Sequence, residues 1–394
     1  MRHKIIITKF LSLVICTSVN AQSAIDNVLA EINKNNKTIL ATAQYYQAQN
    51  LEFKTGLNPS NPTAEYDFLK GSPANAGNQH DFTITQQLDF PSAYIKRSQL
   101  AKTQIARSEY EIIANRQDIL LEAKKVCIAL IYHNKLQEQL ITQKHNFEKL
   151  LSSVQTKLEK GDGNILEMNK AKLQLIQIKK KFQENVSAIN ELNIKLSELN
   201  GGIEIVFTDT VYFSPTSIPD FAQLEKDYEK LDPLLKMLQQ QKLISQKQLE
   251  LSKSLSLPKM ELGYHYQGIL GQTYSGFHTG ISVPLWENKN SVKQKKSQLL
   301  YSESQLIAHT NEHYFHIKHI YERYTNLKTT LLEYQSIFTT LNNTALLNKA
   351  LALGEITTMQ YLVEMNFYTE AQTDFIQTEK EYHDTIAELY KYLL

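Results

Sequence analysis

Four histidines in one stretch are the side chains best placed to do chemistry: His309, His313, His316 and His319. At about 100° per residue they fall within roughly 120° of a single helix face. His309 and His313 have the i,i+4 spacing that sets two imidazoles side by side for a metal ion, so His309, His313 and His316 form a candidate metal site. The same three also occupy successive seam positions of an apolar pattern between Leu306 and Ile320. There they would instead be polar layers packed against a neighbouring helix. Nothing else points to catalysis. The chain has no phosphate loop, no nucleophile elbow and no His-Glu-x-x-His run, so it reads as a non-enzyme without a cofactor.

A second marked group is made of glycines. Gly161 and Gly163 interrupt a helical pattern that runs for tens of residues on either side, and Gly354 does the same about 193 residues later. Glycine takes the positive φ that ends a helix. Asn164/Glu167 and Thr357/Gln360 then have the spacing of capping boxes that start the next helices. These signals predict two helical hairpins with tips at 161–164 and 354–357.

The elements that carry these residues are long. No proline or glycine occurs from Ser92 to Lys160, which predicts one helix of roughly 100 Å. Apolar residues recur along it every seven positions, at Ile105, Ile112, Ile119, Val126, Leu140, Phe147 and Val154, with His133 the exception. This is a coiled-coil seam. A returning helix covers Ile165–Leu199. The plan then repeats: a second long helix at 288–352 carries the seam Val292, Leu299, Leu306, His313, Ile320, Leu327, Tyr334 and Leu341, and a last helix follows at 358–392. Each half opens on a further helix, at 23–56 and 220–255, with Asp232-Pro233 standing where Asn36-Lys37 stood.

Between these helices the period changes from 3.6 to 2. Hairpins are expected at 62–90 and 258–286, each opening on a proline, Pro62 or Pro258. Ile84, Leu88, Leu262, Tyr264 and Ile281 lie on an apolar face; their alternate neighbours, including Gly263 and His265, lie on a polar one. The expected organisation is a leader at 1–21, a first repeat at 22–200, a linker at 201–219 and a second repeat at 220–394.

Composition bounds the setting. The 42 basic and 41 acidic residues leave no basic surplus for nucleic acid. Arg2, Lys4 and Lys9 precede an apolar run ending at Cys16, and Val19 and Ala21 suit cleavage before Gln22, as in a secretory signal. The mature chain would keep Cys127 as its only cysteine and could form no internal disulfide. No other stretch approaches the ~20 apolar residues of a spanning helix. An exported chain of this kind enters a membrane only as strands. Strands of about nine residues suit a bilayer barrel, and a sheet in lipid must close on itself. Four strands cannot close alone, so several copies must share one barrel, with Tyr264, Tyr266, Tyr274 and Trp286 as its aromatic girdle.

The paired tips with Gly161 and Gly354, the prolines Pro62 and Pro258, and the strand ends Leu88-Asp-Phe-Pro91 and Val283-Pro-Leu-Trp286 occur in the same order in both halves. In this the whole mature chain resembles the TolC-like outer membrane efflux protein family. The resemblance implies a mainly α fold with a β-barrel part, internally duplicated and trimeric. Long coiled-coil hairpins would form an α-barrel in the periplasm, and four transmembrane strands per chain would build a twelve-stranded barrel in outer-membrane lipid. It implies a passive duct whose tips, around Gly161, Gly163 and Gly354, dock a periplasmic adaptor and an inner-membrane pump of RND or ABC type. The exported cargo would be small molecules, or metal ions if the chain belongs to the family's heavy-metal, CzcC-like branch.

The resemblance also implies an acidic ring that closes the tunnel near the tips. Glu167 stands at that position in the first repeat, where the family usually has Asp. In the second repeat the matching positions hold Gln360 and Val363, with Glu355 and Glu364 as neighbouring carboxylates; here the chain departs from the family's pattern. A cap for its own helix is the competing role of Glu167. The runner-up architecture, a periplasmic coiled-coil adaptor or scaffold of an export complex, would carry one hairpin flanked by compact β domains, not two with strands between them.

Overall fold

A single asparagine divides the first helical segment. In the computed structural model, which describes residues 24–212, 218–341 and 343–394, α1 (Ala24–Asn35) stops at Asn36 and α2 (Lys37–Glu52) starts beyond it. Asn36 leaves the helical region, its side chain accepts the Ile39 N–H at 3.0 Å, and its amide donates to Leu199 O at 2.7 Å. Asp232 does the same between α5 (Phe221–Leu231) and α6 (Pro233–Leu255), accepting the N–H groups of Leu234 and Leu235. Pro233 sits at the first helical position, where its missing N–H leaves nothing unpaired. Each of the two helices expected whole is therefore two, because a capping side chain at the matched position outweighs helix propagation. The expected leader at 1–21 and residues 213–217 of the expected linker lie outside the described residues.

The strands are β1 (Thr63–Lys70), β2 (Asn78–Leu88), β3 (Lys259–Ile269) and β4 (Gln272–Ser282). They form one antiparallel sheet in the order β1-β2-β3-β4, so the two hairpins join through β2 and β3. Ile84 pairs with Tyr264, Tyr264 with Phe277, and Leu88 with Met260, which places the expected apolar residues on one face. Tyr274 is a correction: it pairs with Gln267, in line with Asp81 and Asp67, and so lies on the polar face. β4 also ends at Ser282, short of the Leu285 expected from alternation, because Pro284 has no N–H to give a ladder. No strand residue is buried in this single chain. Among the described residues, the outer edges of β1 and β4 have no partner strand.

Helix α3 (Pro91–Glu159) runs 69 residues without interruption, about 100 Å, and α4 (Ile165–Leu199) returns along it. The second hairpin differs. The helix expected over 288–352 is α7 (Ser291–Phe338) followed by α8 (Asn343–Leu353), and α9 (Thr358–Leu389) runs back. At the interruption the Thr339 and Thr340 hydroxyls donate back to Gln335 O and Ile337 O, and Asn343 opens the next helix. Threonine and asparagine side chains compete with helical hydrogen bonds in this way.

Three apolar clusters hold the helices together. One gathers α1, the middle of α3 and the end of α4 around Ile32, Leu130 and Leu196, with Ile205, Phe207 and Tyr212 of the following segment. A second joins α5, α7 and the end of α9 around Leu224, Ile320 and Leu389. The third lies at the tips. In the first seam Val126, Leu140, Phe147 and Val154 are buried. His133, its exception, bonds to Asn185 of α4: Nδ1 lies 2.7 Å from Asn185 Oδ1, and the Asn185 amide donates to His133 O at 2.9 Å.

Candidate functional site

The two reversals, 193 residues apart in sequence, lie side by side. Phe147, Leu150 and Val154 of α3, Leu175 and Ile178 of α4, and Tyr361, Leu362 and Met365 of α9 form one buried cluster just behind them. Gln174 donates to Asn366 at 2.8 Å, and the Tyr361 hydroxyl donates to Asn348 at 2.7 Å, tying α8 to α9.

Both reversals use the same hydrogen-bond device. Gly161 (φ 78°) donates to Leu158 O and Asp162 donates to Lys157 O; Gly354 (φ 76°) donates to Leu351 O and Glu355 to Ala350 O. These paired bonds across a left-handed glycine satisfy carbonyls that a helix end leaves open. The restarts differ. Thr357 and Gln360 form a full reciprocal box, whereas Asn164 caps Leu166 N–H at 2.8 Å and receives no bond from the Glu167 side chain. The capping box expected at Asn164/Glu167 is half made.

That leaves Glu167 half-buried at the start of α4, without an ion pair among the described residues, as are Glu355 and Glu364 on the surface nearby. Ile165, Leu166 and Leu353 also stand in solvent around the reversals. A cleft of about 330 Å³ opens between α3 and the α8–α9 turn, lined by Leu150, Val154, Leu351 and Tyr361, with Lys149 and Lys157 on its wall. Exposed apolar side chains, a cleft and unpaired carboxylates make a surface that can be covered by another molecule.

The histidines separate. The inward side of α7 runs through Ser302, Leu306, His309, His313, Ile317, Ile320 and Tyr324. His309 and His313 are thus half-buried, whereas His316 and His319 face outward, with Ile317 taking the seam position expected for His316. The seam does not keep strict 3–4 alternation here: the steps 309→313 and 313→317 are both four residues, so Ile317 and not His316 comes inward. His313 Nε2 lies 3.5 Å from Asp232 Oδ2, and its ring meets Tyr228 edge-on. Burial holds the His313 pKa below the ordinary imidazole value, with Asp232 pulling the other way. Among the described residues, no group of three His, Cys, Asp or Glu side chains is placed to hold a metal ion.

Sequence reasoning passed over a second polar cluster. Tyr212 stacks on His383 of α9, with ring centroids 4.2 Å apart and planes at 13°, and the Lys135 ammonium lies 4.8 Å from the tyrosine ring. Lys135 is itself paired with Glu379. Lone tyrosines and histidines give no periodic signal. Only the packing reveals them.

No family model matches the chain, and no curated protein matches it. Solved structures do. CusC, studied for its folding and transmembrane channel formation, superposes with a TM-score of 0.80 at 12% identity, over 95% of this chain and 92% of that one. The outer membrane protein VceC of Vibrio cholerae gives 0.75 at 13% identity, over 94% and 95%. The MtrE outer membrane channel of Neisseria gonorrhoeae, in its open state, gives 0.68 at 12%, over 94% and 88%. The chain has the fold of these TolC-like outer-membrane channels along nearly its whole length.

Proposed function

We propose, from this shared fold, that the chain is the outer-membrane duct of a tripartite efflux system. Three copies would close their sheets into one twelve-stranded barrel, with the helices hanging as a tunnel in the periplasm and 22–200 and 220–394 acting as two repeats. The observation that carries the proposal is the sheet. Among the described residues both its edges are unpaired, and its apolar face is open, with Phe277 92% exposed and Ile281 73%. Such edges in lipid cost several kcal/mol per unmet group unless further copies complete them. Two hairpins with strands between them also favour the duct over an adaptor.

The tips are the docking end for a periplasmic adaptor, which links the duct to an RND or ABC pump. Gly161, Gly163 and Gly354 set the shape presented there; Glu167, with Glu355 and Glu364, supplies the negative charge near the mouth. The duct performs no chemistry and passes small molecules or metal ions that the pump delivers. The test is extraction from outer membranes in detergent, followed by sedimentation and planar-bilayer conductance. A conducting trimer is expected. A monomer, or full recovery in the soluble periplasm, refutes the proposal.

A further inference from the structure

The segment 203–212, between α4 and the described start of α5, lies across α3 without a strand partner. Its hold is side-chain work. Ile205, Phe207 and Tyr212 turn inward to the cluster that contains Cys127, while Val206 (81% exposed) and Val211 (74%) turn outward. The Tyr212 hydroxyl donates to Ile128 O at 3.2 Å, and the Asn134 amide donates to Asp209 O at 3.1 Å. The end of the segment is fixed by the stacking of Tyr212 on His383. Cys127 is fully buried beneath. Its thiol is pushed up to about 12 by burial and then by the Asp209 carboxylate of this same segment.

We propose that residues 203–212 form an acid-released strap, held over Cys127 by Tyr212 stacked on His383 and let go when that imidazole takes up a proton. The surroundings of His383 set the direction. From α3 come Lys135 and Lys124, the latter itself held below the ordinary lysine range by burial. From α9 come Glu379, paired with Lys135, the Lys380–Asp384 pair at 2.7 Å, and Tyr382 edge-on. The strap contributes Tyr212 and Asp209. A protonated ring keeps some attraction to the tyrosine face. Burial outweighs this, and with Lys135 and Lys124 adding repulsion it holds His383 at about 4, against 6.5 for a free imidazole.

The closed strap therefore binds a proton less well than the open one. Closure is fully favoured above pH 6.5 and is lost as the pH falls from there towards 4. If the released His383 regains its ordinary value, the open population rises about 30-fold between about pH 7.5 and pH 5. The inference does not depend on the duct reading, since it concerns only how this segment is held.

Cys127 is a built-in reporter. The full chain in detergent is treated with an aromatic disulfide that modifies thiols in mild acid, and the peptide holding Cys127 is quantified by mass spectrometry. Rates are normalised to the unfolded chain at each pH. Modification should accelerate about 30-fold at about pH 5. His383→Phe, which keeps a stacked ring without a titrating group, should remove the acceleration, as should His383→Gln. In a Val154→Cys variant, the new thiol in the tip cluster should stay protected throughout. An unchanged wild-type rate overturns the proposal. So does equal acceleration in both His383 variants, or parallel exposure of the thiol at position 154, which would signify general unfolding.

Discussion

Two glycines two residues apart at the first tip should respond to alanine with very different severity. A Cβ on Gly161 meets nothing within 4 Å, so Gly161→Ala carries only the penalty of a left-handed backbone, φ 78°. That is about 1 kcal/mol. A Cβ on Gly163 would lie 2.4 Å from Leu158 N and 2.6 Å from Leu158 Cα. Those are backbone atoms of the last turn of α3 and cannot rotate away, so the reversal must open. Overpacking of this kind costs about 1–3 kcal/mol, and a clash with backbone belongs at the upper end. Hydrogen exchange reads the difference through the amides of Gly161 and Asp162, which close the turn onto Leu158 O and Lys157 O. At 1.4 kcal/mol per factor of ten, Gly161→Ala should speed exchange about fivefold, and Gly163→Ala about a hundredfold. Exchange no faster in Gly163→Ala than in Gly161→Ala would show that the close approach does not shape the tip.

Other outcomes follow from the same geometry. A Cβ at Gly354 meets nothing within 4 Å, so Gly354→Val, strained by the left-handed backbone (φ 76°), should re-aim the tip yet leave normal amounts of assembled protein in the outer membrane while failing to support efflux with its cognate pump; full export would remove this tip from docking, and loss of assembly would give the glycine a folding role. Leu262→Arg, on the apolar face, should reduce assembly, since a mid-bilayer arginine costs ~2–4 kcal/mol. His265→Arg, on the polar face, should be tolerated, and equal losses on a gel of the assembled form would refute the facing. Gly263→Arg is unsuited as that control, because a Cβ there lies 2.6 Å from Ile84 O. Tyr228→Phe strips the buried hydroxyl that donates to both Glu388 O (2.9 Å) and Leu389 O (2.8 Å), and should lower stability by about 1–2 kcal/mol in a denaturant titration.

Much of this was legible because the signals are periodic. Alternation over Thr63–Lys70 and the heptads of α3 each repeat one physical constraint many times, and the glycines at the tips mark it with little ambiguity. What escaped detection was set by single side chains. Asn36 and Asp232 are acceptors that capture N–H groups, and in sequence they look like ordinary polar positions inside a helix. The place of His316 turned on whether one step of the seam is three residues or four. Tyr274 was assigned by its type, as an aromatic, and strand pairing moved it to the polar face. The Tyr212–His383 stack unites residues 171 positions apart that belong to no pattern.

The sheet without a buried residue sets a timetable. All three apolar clusters belong to the helices and the segment beside them, so the helical part carries its own means of holding together in water. In the duct proposed above, the four strands, paired with one another in the single chain, would gain burial from lipid on one face and from further strands at both edges. On that reading a new chain would be a finished helical rod with an unfinished head, its ~40 residues of strand awaiting a membrane and companions. Maturation would then be limited by insertion and encounter rather than by folding of the helices, and an intermediate caught before that step would be helical, monomeric and exposed at its strands.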